Sequence, residues 1–456
     1  MTKQTRKVLV AWLLIGLVVV LANSPQVRTF VNFPTYLRVT QGQDHTLDIN
    51  LPLELYIKTD GRGLVEIAGE VVEENGWKRL AQKQLTLRPL KTGRTVLNLS
   101  LLGGMFQWRQ IVVDVVPRME VMAGGHSIGV LVRSKGLLVT GHAAIENEEG
   151  RSSPAFENGI VVGDVILQAD GQVLRNAQQL AALVDQAGRR GSEVNLTIRR
   201  KNLLIEKTVR PVKHHPSGKY RIGLYVKDGT AGVGTLTYYD PKTRIYGALG
   251  HSITDGKTNL TLDLREGSIV EANISGIQTG SVGHPGEKLG VFAAREEPLG
   301  NIEKNTRFGI IGDLNTVPEN PLFPTPVPIA LMGEVKTGPA EIITVVKGKK
   351  LQRFEVKIRE VFPQPNPAEK GLILEITDPN LLRITGGIIQ GMSGSPIIQD
   401  NRLVGAVTHV MVNNPTRGYG VFIEWMLAES GLLPPEGSAA RNDTGSKPFR
   451  RPRQAA

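Results

Sequence analysis

Towards the C-terminal end of the chain, Gly391-Met392-Ser393-Gly394-Ser395-Pro396 stands between two apolar stretches. A serine hydroxyl is a poor nucleophile until a turn exposes it and a base takes its proton. Glycines on both sides of Ser393 permit a sharp turn. They also let the N–H groups of Gly391 and Ser393 converge on one spot, where the oxyanion of an acyl-transfer reaction would develop. Pro396 then leads into Ile397-Ile398, an expected buried strand. A Gly/Ser surface turn is written the same way, so the loop acquires meaning only with partners.

The base has to be sought among 8 histidines. His251 has the best context: an apolar strand, Ile245 to Leu249, ends at Gly250 just before it. That places an imidazole at a strand end, 142 residues ahead of Ser393. The spacing leaves room for the rest of one small barrel and most of another. His142 lies in a segment assigned below to a binding module, His284 sits in a Gly/Pro turn, and His409 reads as a core or pocket-lining residue. A third group should be a buried carboxylate that orients the imidazole. Asp378 follows the apolar run Leu372–Thr377 and precedes Pro379, so it stands at a strand end, 15 residues before Ser393. Asp255 and Asp313 are the alternatives, and Asp-Pro is also an ordinary turn starter.

Three stretches together carry a resemblance. They are Arg221-Ile222-Gly223 through Gly229, Gly250-His251-Ser252-Ile253-Thr254-Asp255, and Gly391-Met392-Ser393-Gly394-Ser395-Pro396. The chain resembles the stage IV sporulation protein B peptidase family, the PDZ-containing serine peptidases of endospore-forming bacteria, from its N-terminal apolar segment to about Gly431. The resemblance implies a triad of His251, Asp378 and Ser393, with Gly391 and Ser393 as oxyanion donors and no cofactor or metal. It implies a protein substrate, the membrane-anchored regulatory subunit of an intramembrane protease, whose cleavage permits maturation of a sporulation sigma factor. It also implies self-cleavage near the N-terminus, and a location between the two membranes of the forespore.

The elements that must position these residues read as β structure. The chain has 456 residues, with 51 glycines and 27 prolines but only 5% aromatics. Many short Val/Ile/Leu runs separated by turns favour a mainly β protein of about three domains. There is no cysteine, which excludes disulfides and thiolate chemistry. The net charge of +11 is scattered over short clusters without interleaved aromatics, so nucleic-acid binding is not expected.

Residues 1–24 form a signal or anchor segment: Lys3, Arg6 and Lys7 precede an apolar run from Val8 to Ala22. Export and a membrane contact through this segment follow. Residues 25–116 show alternating strands and are expected to form a small β-sandwich. Residues 117–210 have the order of a PDZ domain, with a helix near 177–186. Ser127-Ile128-Gly129-Val130 stands where such a domain would hold a peptide carboxylate beside a strand edge. Residues 220–431 are expected to form a chymotrypsin-like peptidase of two barrels, and 434–456 a disordered basic tail. Two rivals compete with the signalling-peptidase reading. One is an exported PDZ adaptor with an inactive peptidase-like barrel. The other is a quality-control PDZ protease, in which the PDZ domain usually follows the protease domain instead of preceding it.

Overall fold

The protein is described here by a computed structural model. It describes Trp12 and residues 33–434, apart from 50–53, 61–62, 68, 72–75, 81–83, 148–149, 293–296 and 365. The expected signal or anchor segment (Trp12 excepted) and the basic tail beyond Pro434 lie outside the described residues. Among the described residues no helix is long and apolar enough to cross a membrane.

Two compact units divide the chain. The first is built on two small sheets. One runs 36–40, 106–116, 93–101, 55–59, 78–80, and the other 45–48, 84–89, 65–67, 70–71. Alternation along the strands turns every second side chain inward. Ile57, Ile67, Leu85, Leu87, Leu97, Leu99 and Ile111 thereby share one fully buried core. A charge lies inside this unit as well. Asp114 is buried, accepts a hydrogen bond from the Tyr36 hydroxyl at 3.0 Å, and faces the Arg38 guanidinium at 3.7 Å.

The second unit spans 120–330 and 335–430. Its longer strands are β1 (Glu120–Ala123), β2 (Ser127–His142), β3 (Val165–Ala169), β4 (Val194–Arg200), β5 (Leu203–Val209), β6 (Leu224–Tyr239), β7 (Ile245–Ala248), β8 (Leu264–Glu271), β9 (Asn273–Gln278), β10 (Glu287–Val291) and β11 (Gly309–Asp313). These are followed by β12 (Gly338–Val345), β13 (Leu351–Val361), β14 (Leu372–Ile376), β15 (Pro396–Gln399), β16 (Arg402–Met411) and β17 (Asn414–Phe422). The helices that matter are α1 (Ala177–Arg189), α2 (Pro379–Thr385) and α3 (Ile423–Ser430).

One extended sheet runs β5-β4-β3-β2-β6-β7-β11. Its two longest strands, β2 and β6, have 16 residues each and serve two structures. The half of β2 from Leu138 to His142 pairs with Leu224–Lys227 and belongs to the PDZ domain. The half from Ser127 to Arg133 pairs with Gly229–Thr235, and Ile128–Arg133 also pairs with β8. A register shift between Arg133 and Leu138 separates the halves and redirects the strands, as bulges do. The PDZ domain is thus an insertion carried on two strands of the peptidase. Its core of Leu137, Val139, Ile166, Leu180, Val184, Leu196 and Ile198 is separate from that of Ile128, Val130, Leu236, Tyr246, Ala248 and Ile269.

Two expectations need correction. Among the described residues one barrel closes: strands β12-β13-β14-β17-β16-β15 form a closed barrel, whereas the strands around β2, β6, β7 and β8 form a half-barrel. The physical reason is that β2 and β6 continue outward into the PDZ sheet instead of curling back to meet a closing partner. Nor is the half-barrel confined to residues after 220, because β1 and the first half of β2 are already part of it.

Candidate active site

The Gly391–Pro396 loop is held by hydrogen bonds on several sides. Gly394 N–H donates to Val407 at 2.8 Å and Val407 N–H returns to Ser395 at 3.0 Å, which fastens the loop to β16. Thr235 N–H of β6 donates to the Ser393 carbonyl at 3.0 Å, and the Thr237 hydroxyl to the Gly394 carbonyl at 2.8 Å. The second glycine is obligatory for two reasons. Gly394 has a left-handed φ of 92°, and a Cβ there would lie 2.0 Å from the Thr235 carbonyl oxygen.

The Gln390–Gly391 and Met392–Ser393 peptide units decide the oxyanion chemistry. The Gln390 carbonyl accepts from Lys288 N–H at 3.0 Å, and the Met392 carbonyl from Ser395 N–H at 2.9 Å. In a trans peptide the C=O and N–H point in opposite directions. Pinning those two carbonyls therefore turns the N–H groups of Gly391 and Ser393 the other way. Among the described residues neither N–H has a hydrogen-bond partner in the protein. Two donors left open beside a serine hydroxyl are what an oxyanion hole requires.

His251 arrives from β7 through a strained turn. Leu249 adopts a left-handed φ of 69°, rare for a leucine, and Gly250 follows at 72°. Packing holds this conformation in place. A Cβ on Gly234 would lie 2.1 Å from the Leu249 Cδ2, so the leucine fills the space that this glycine leaves empty. The His251 Nδ1 lies 2.9 Å from the Ser252 carbonyl. A carbonyl can only accept, so Nδ1 carries the proton and Nε2 keeps the lone pair a general base needs. Burial holds His251 below the ordinary imidazole value, with the Ser252 carbonyl and the charge of Glu369 opposing.

His251, Ser393, Gly391, Thr408 and His409 line one cleft of about 680 Å³. The Ser393 hydroxyl donates to the Thr408 carbonyl at 2.7 Å, so it must rotate before an imidazole can take its proton. Catalytic hydrogen bonds of this kind often form only with substrate present. Sequence reasoning placed His409 as a core or pocket-lining residue, and it does line the pocket. Its ring packs on His251, with centroids 4.8 Å apart and planes tilted by 39°. Among the described residues its buried Nδ1 has no partner. Burial, together with the like charges of His251 and Lys370, brings it down to about 4.

Among the described residues no hydrogen bond joins Asp378 to His251. Its carboxylate caps α2, with Oδ1 accepting from the N–H groups of Asn380 and Leu381 at 2.9 Å each. Asp at the N-cap with Pro379 at the first helical position is a strong helix start. Both cap bonds go to Oδ1. Asp255 is likewise committed, to Lys227 Nζ at 2.9 Å and to its own turn. The Ser252 carbonyl occupies the orienting position instead.

The expected carboxylate loop of the PDZ domain is not a loop. Ser127, Ile128, Gly129 and Val130 lie within β2, buried, and from Ile128 to Val130 the strand is paired on both sides. No N–H groups are left there to cradle a carboxylate. The PDZ sheet ends instead at Leu224–Lys227. Among the described residues β2 is the strand that pairs with this stretch, and α1 packs beside β6. Ile222-Gly223 leads into it, with Gly223 at a left-handed φ of 77°.

A closed barrel and a half-barrel, with a glycine-flanked serine and a strand-end histidine in one cleft, define a chymotrypsin-like peptidase. Residues 218–427 match the family described as SpoIVB peptidase S55, and residues 142–210 match the PDZ domain family. The peptidase region of the chain thus belongs to the SpoIVB peptidase S55 family, and a PDZ domain accompanies it. No curated protein matches the chain. Among solved structures it is similar to the PDZ domain of the SdrC-like protein Lmo2051 from Listeria monocytogenes, at 17% identity and a TM-score of 0.17, over 21% of this chain and 90% of that one. It is also similar to Rv3671c from M. tuberculosis H37Rv, in the inactive form of a serine-to-alanine mutant. That likeness is at 13% identity and a TM-score of 0.24, over 45% of this chain and 84% of that one.

Proposed function

We propose that the protein is an exported serine endopeptidase in which Ser393 attacks a peptide carbonyl and His251 Nε2 takes its proton. The imidazolium then gives that proton to the leaving amine, and the N–H groups of Gly391 and Ser393 stabilise the oxyanion. The observation that carries this reading is the pair of unpartnered N–H groups flanking a serine that shares its cleft with His251. The substrate, following the family, is a membrane-anchored regulator of an intramembrane protease, and the chain also cuts itself near its N-terminal segment. On this reading the N-terminal segment delivers the protein across the forespore membrane. A substrate or partner peptide adds to the PDZ edge at Leu224–Lys227, in the manner of β-augmentation.

The test is cleavage by residues 23–456, wild type against Ser393→Ala, on the chain itself and on the ectodomain of a candidate regulator. Loss of the nucleophile should lower turnover by a factor on the order of 10⁶. Equal cutting by both proteins would mean that the chemistry lies elsewhere.

A further inference from the structure

Lys288, on β10, is buried with 4% of its surface exposed. Buried ammonium groups are ordinarily matched by a carboxylate. Lys288 has none. Its Nζ lies 2.6 Å from the Thr344 hydroxyl of β12, 3.4 Å from the Ser127 hydroxyl of β2 and 3.5 Å from the Thr235 hydroxyl of β6. Three hydroxyl oxygens suit the three donors of an ammonium. Burial alone acts on its proton affinity and lowers it to about 7. A lysine buried at this cost on a strand that does no chemistry asks for a reason.

Its neighbours supply one. The backbone N–H of Lys288 holds the Gln390 carbonyl, and so turns the Gly391 N–H. The lysine stem lies under the same residue: a Cβ on Gly391 would meet Lys288 Cβ and Cδ at 3.1 Å and Cγ at 3.2 Å. The Thr235 hydroxyl donates to the Gly391 carbonyl at 2.7 Å. Having spent its proton there, it can only accept from Lys288. Both peptide units of Gly391 are thus tied to Lys288, one directly and one through Thr235.

We propose that Lys288 is a positioning residue for the oxyanion hole, fixing the Gly391 peptide from beneath through its backbone N–H, its stem and the Thr235 hydroxyl. It touches no reacting atom and acts through Gly391. The proposal rests on the peptidase reading above. It places a determinant of the rate between the half-barrel, which contributes Ser127 and Thr235, and the closed barrel, which contributes Thr344.

The test is the rate at which a fluorophosphonate probe phosphonylates the full chain, with its maximal rate and its half-saturating concentration resolved separately. Met matches the lysine stem without the charge, so K288M should fold, and thermal unfolding checks this. The expected result for K288M is a maximal rate lower by about 10²-fold, as for loss of an oxyanion donor, at unchanged half-saturation. T235V should show the same split and T235S should restore the rate. K288M/T235V should cost little more than either alone, because the two residues act in one chain. Labelling of K288M and T235V at the wild-type rate, with Ser393→Ala unlabelled, overturns the role of Lys288 and leaves the peptidase reading standing. Labelling of Ser393→Ala as fast as wild type overturns both. Should K288M not fold, T235V against T235S decides: equal rates in these two and wild type overturn the proposal.

Discussion

Asp378 shows how one side chain can be written for two jobs. An aspartate before a proline at the end of an apolar strand reads as an orienting acid, and equally as a helix N-cap. The sequence holds nothing to separate the two, because both need a carboxylate at a chain reversal. The structure commits Asp378 to the cap. Asn caps a helix about as well as Asp but cannot stabilise an imidazolium. Asp378→Asn is therefore expected to keep peptidase activity within a few-fold of wild type. A loss on the order of 10⁴ in kcat would give Asp378 the orienting role after all.

The histidine pair makes a second prediction at this scale. His251 is held below its ordinary value by burial, and His409 is brought to about 4 by burial and like charge. In the unfolded chain both take up protons near pH 6.5. Their contribution to stability is thus complete above about pH 6.5 and is lost as the pH falls from there towards about 4. Urea midpoints between pH 7 and pH 4.5 should decline in the wild type and decline less steeply in His409→Gln. His45 and His126 are lowered in the same direction, so some slope remains. An identical slope in both proteins would count against the burial of His409.

At the scale of elements, the PDZ insertion has its own electrostatic anchor. Asp164 is fully buried where the chain enters β3. It accepts from Arg200 at 2.7 and 2.8 Å and from Val161 N–H at 2.9 Å. Arg200→Ala would leave this carboxylate uncompensated. The expected loss in urea unfolding is about 3 kcal/mol, the low end for a broken buried pair, because Arg200 is itself part-exposed. Combining Asp164→Leu with Arg200→Met removes both charges at once and should recover much of that loss. The strands that carry this domain also show where periodicity misleads. Ser127-Ile128-Gly129-Val130 has the glycine and apolar pattern of a carboxylate loop. What makes it a buried strand is pairing with Gly232–Thr235 and Ile269–Glu271, partners more than 100 residues away.

For the whole molecule, the shared strands set where the chain can be cut. A fragment beginning at Tyr220 lacks β1 and β2, the strands that flank β6 in the half-barrel. It is expected to be unfolded by circular dichroism and to be degraded rapidly by added protease. A fragment of residues 120–430 retains all of the pairings and should resist proteolysis. A folded 220–430 fragment would show that the half-barrel does not depend on β2.

The β-rich class, the tight glycine turn around Ser393 and the strand-end position of His251 were legible in the chain as written. Each depends on local chemistry: glycines where the backbone must reverse, and apolar alternation where a strand is half-buried. Tertiary structure alone decided the rest. It decided that β2 and β6 each serve two domains, that the first barrel stays open, and that Asp378 caps a helix. It also set a lysine beneath Gly391, with hydroxyls from three distant strands around it. Those outcomes depend on which segments meet across long stretches of chain. Pairing and packing between such segments are set by the fold as a whole and leave no periodic mark in the sequence that forms them.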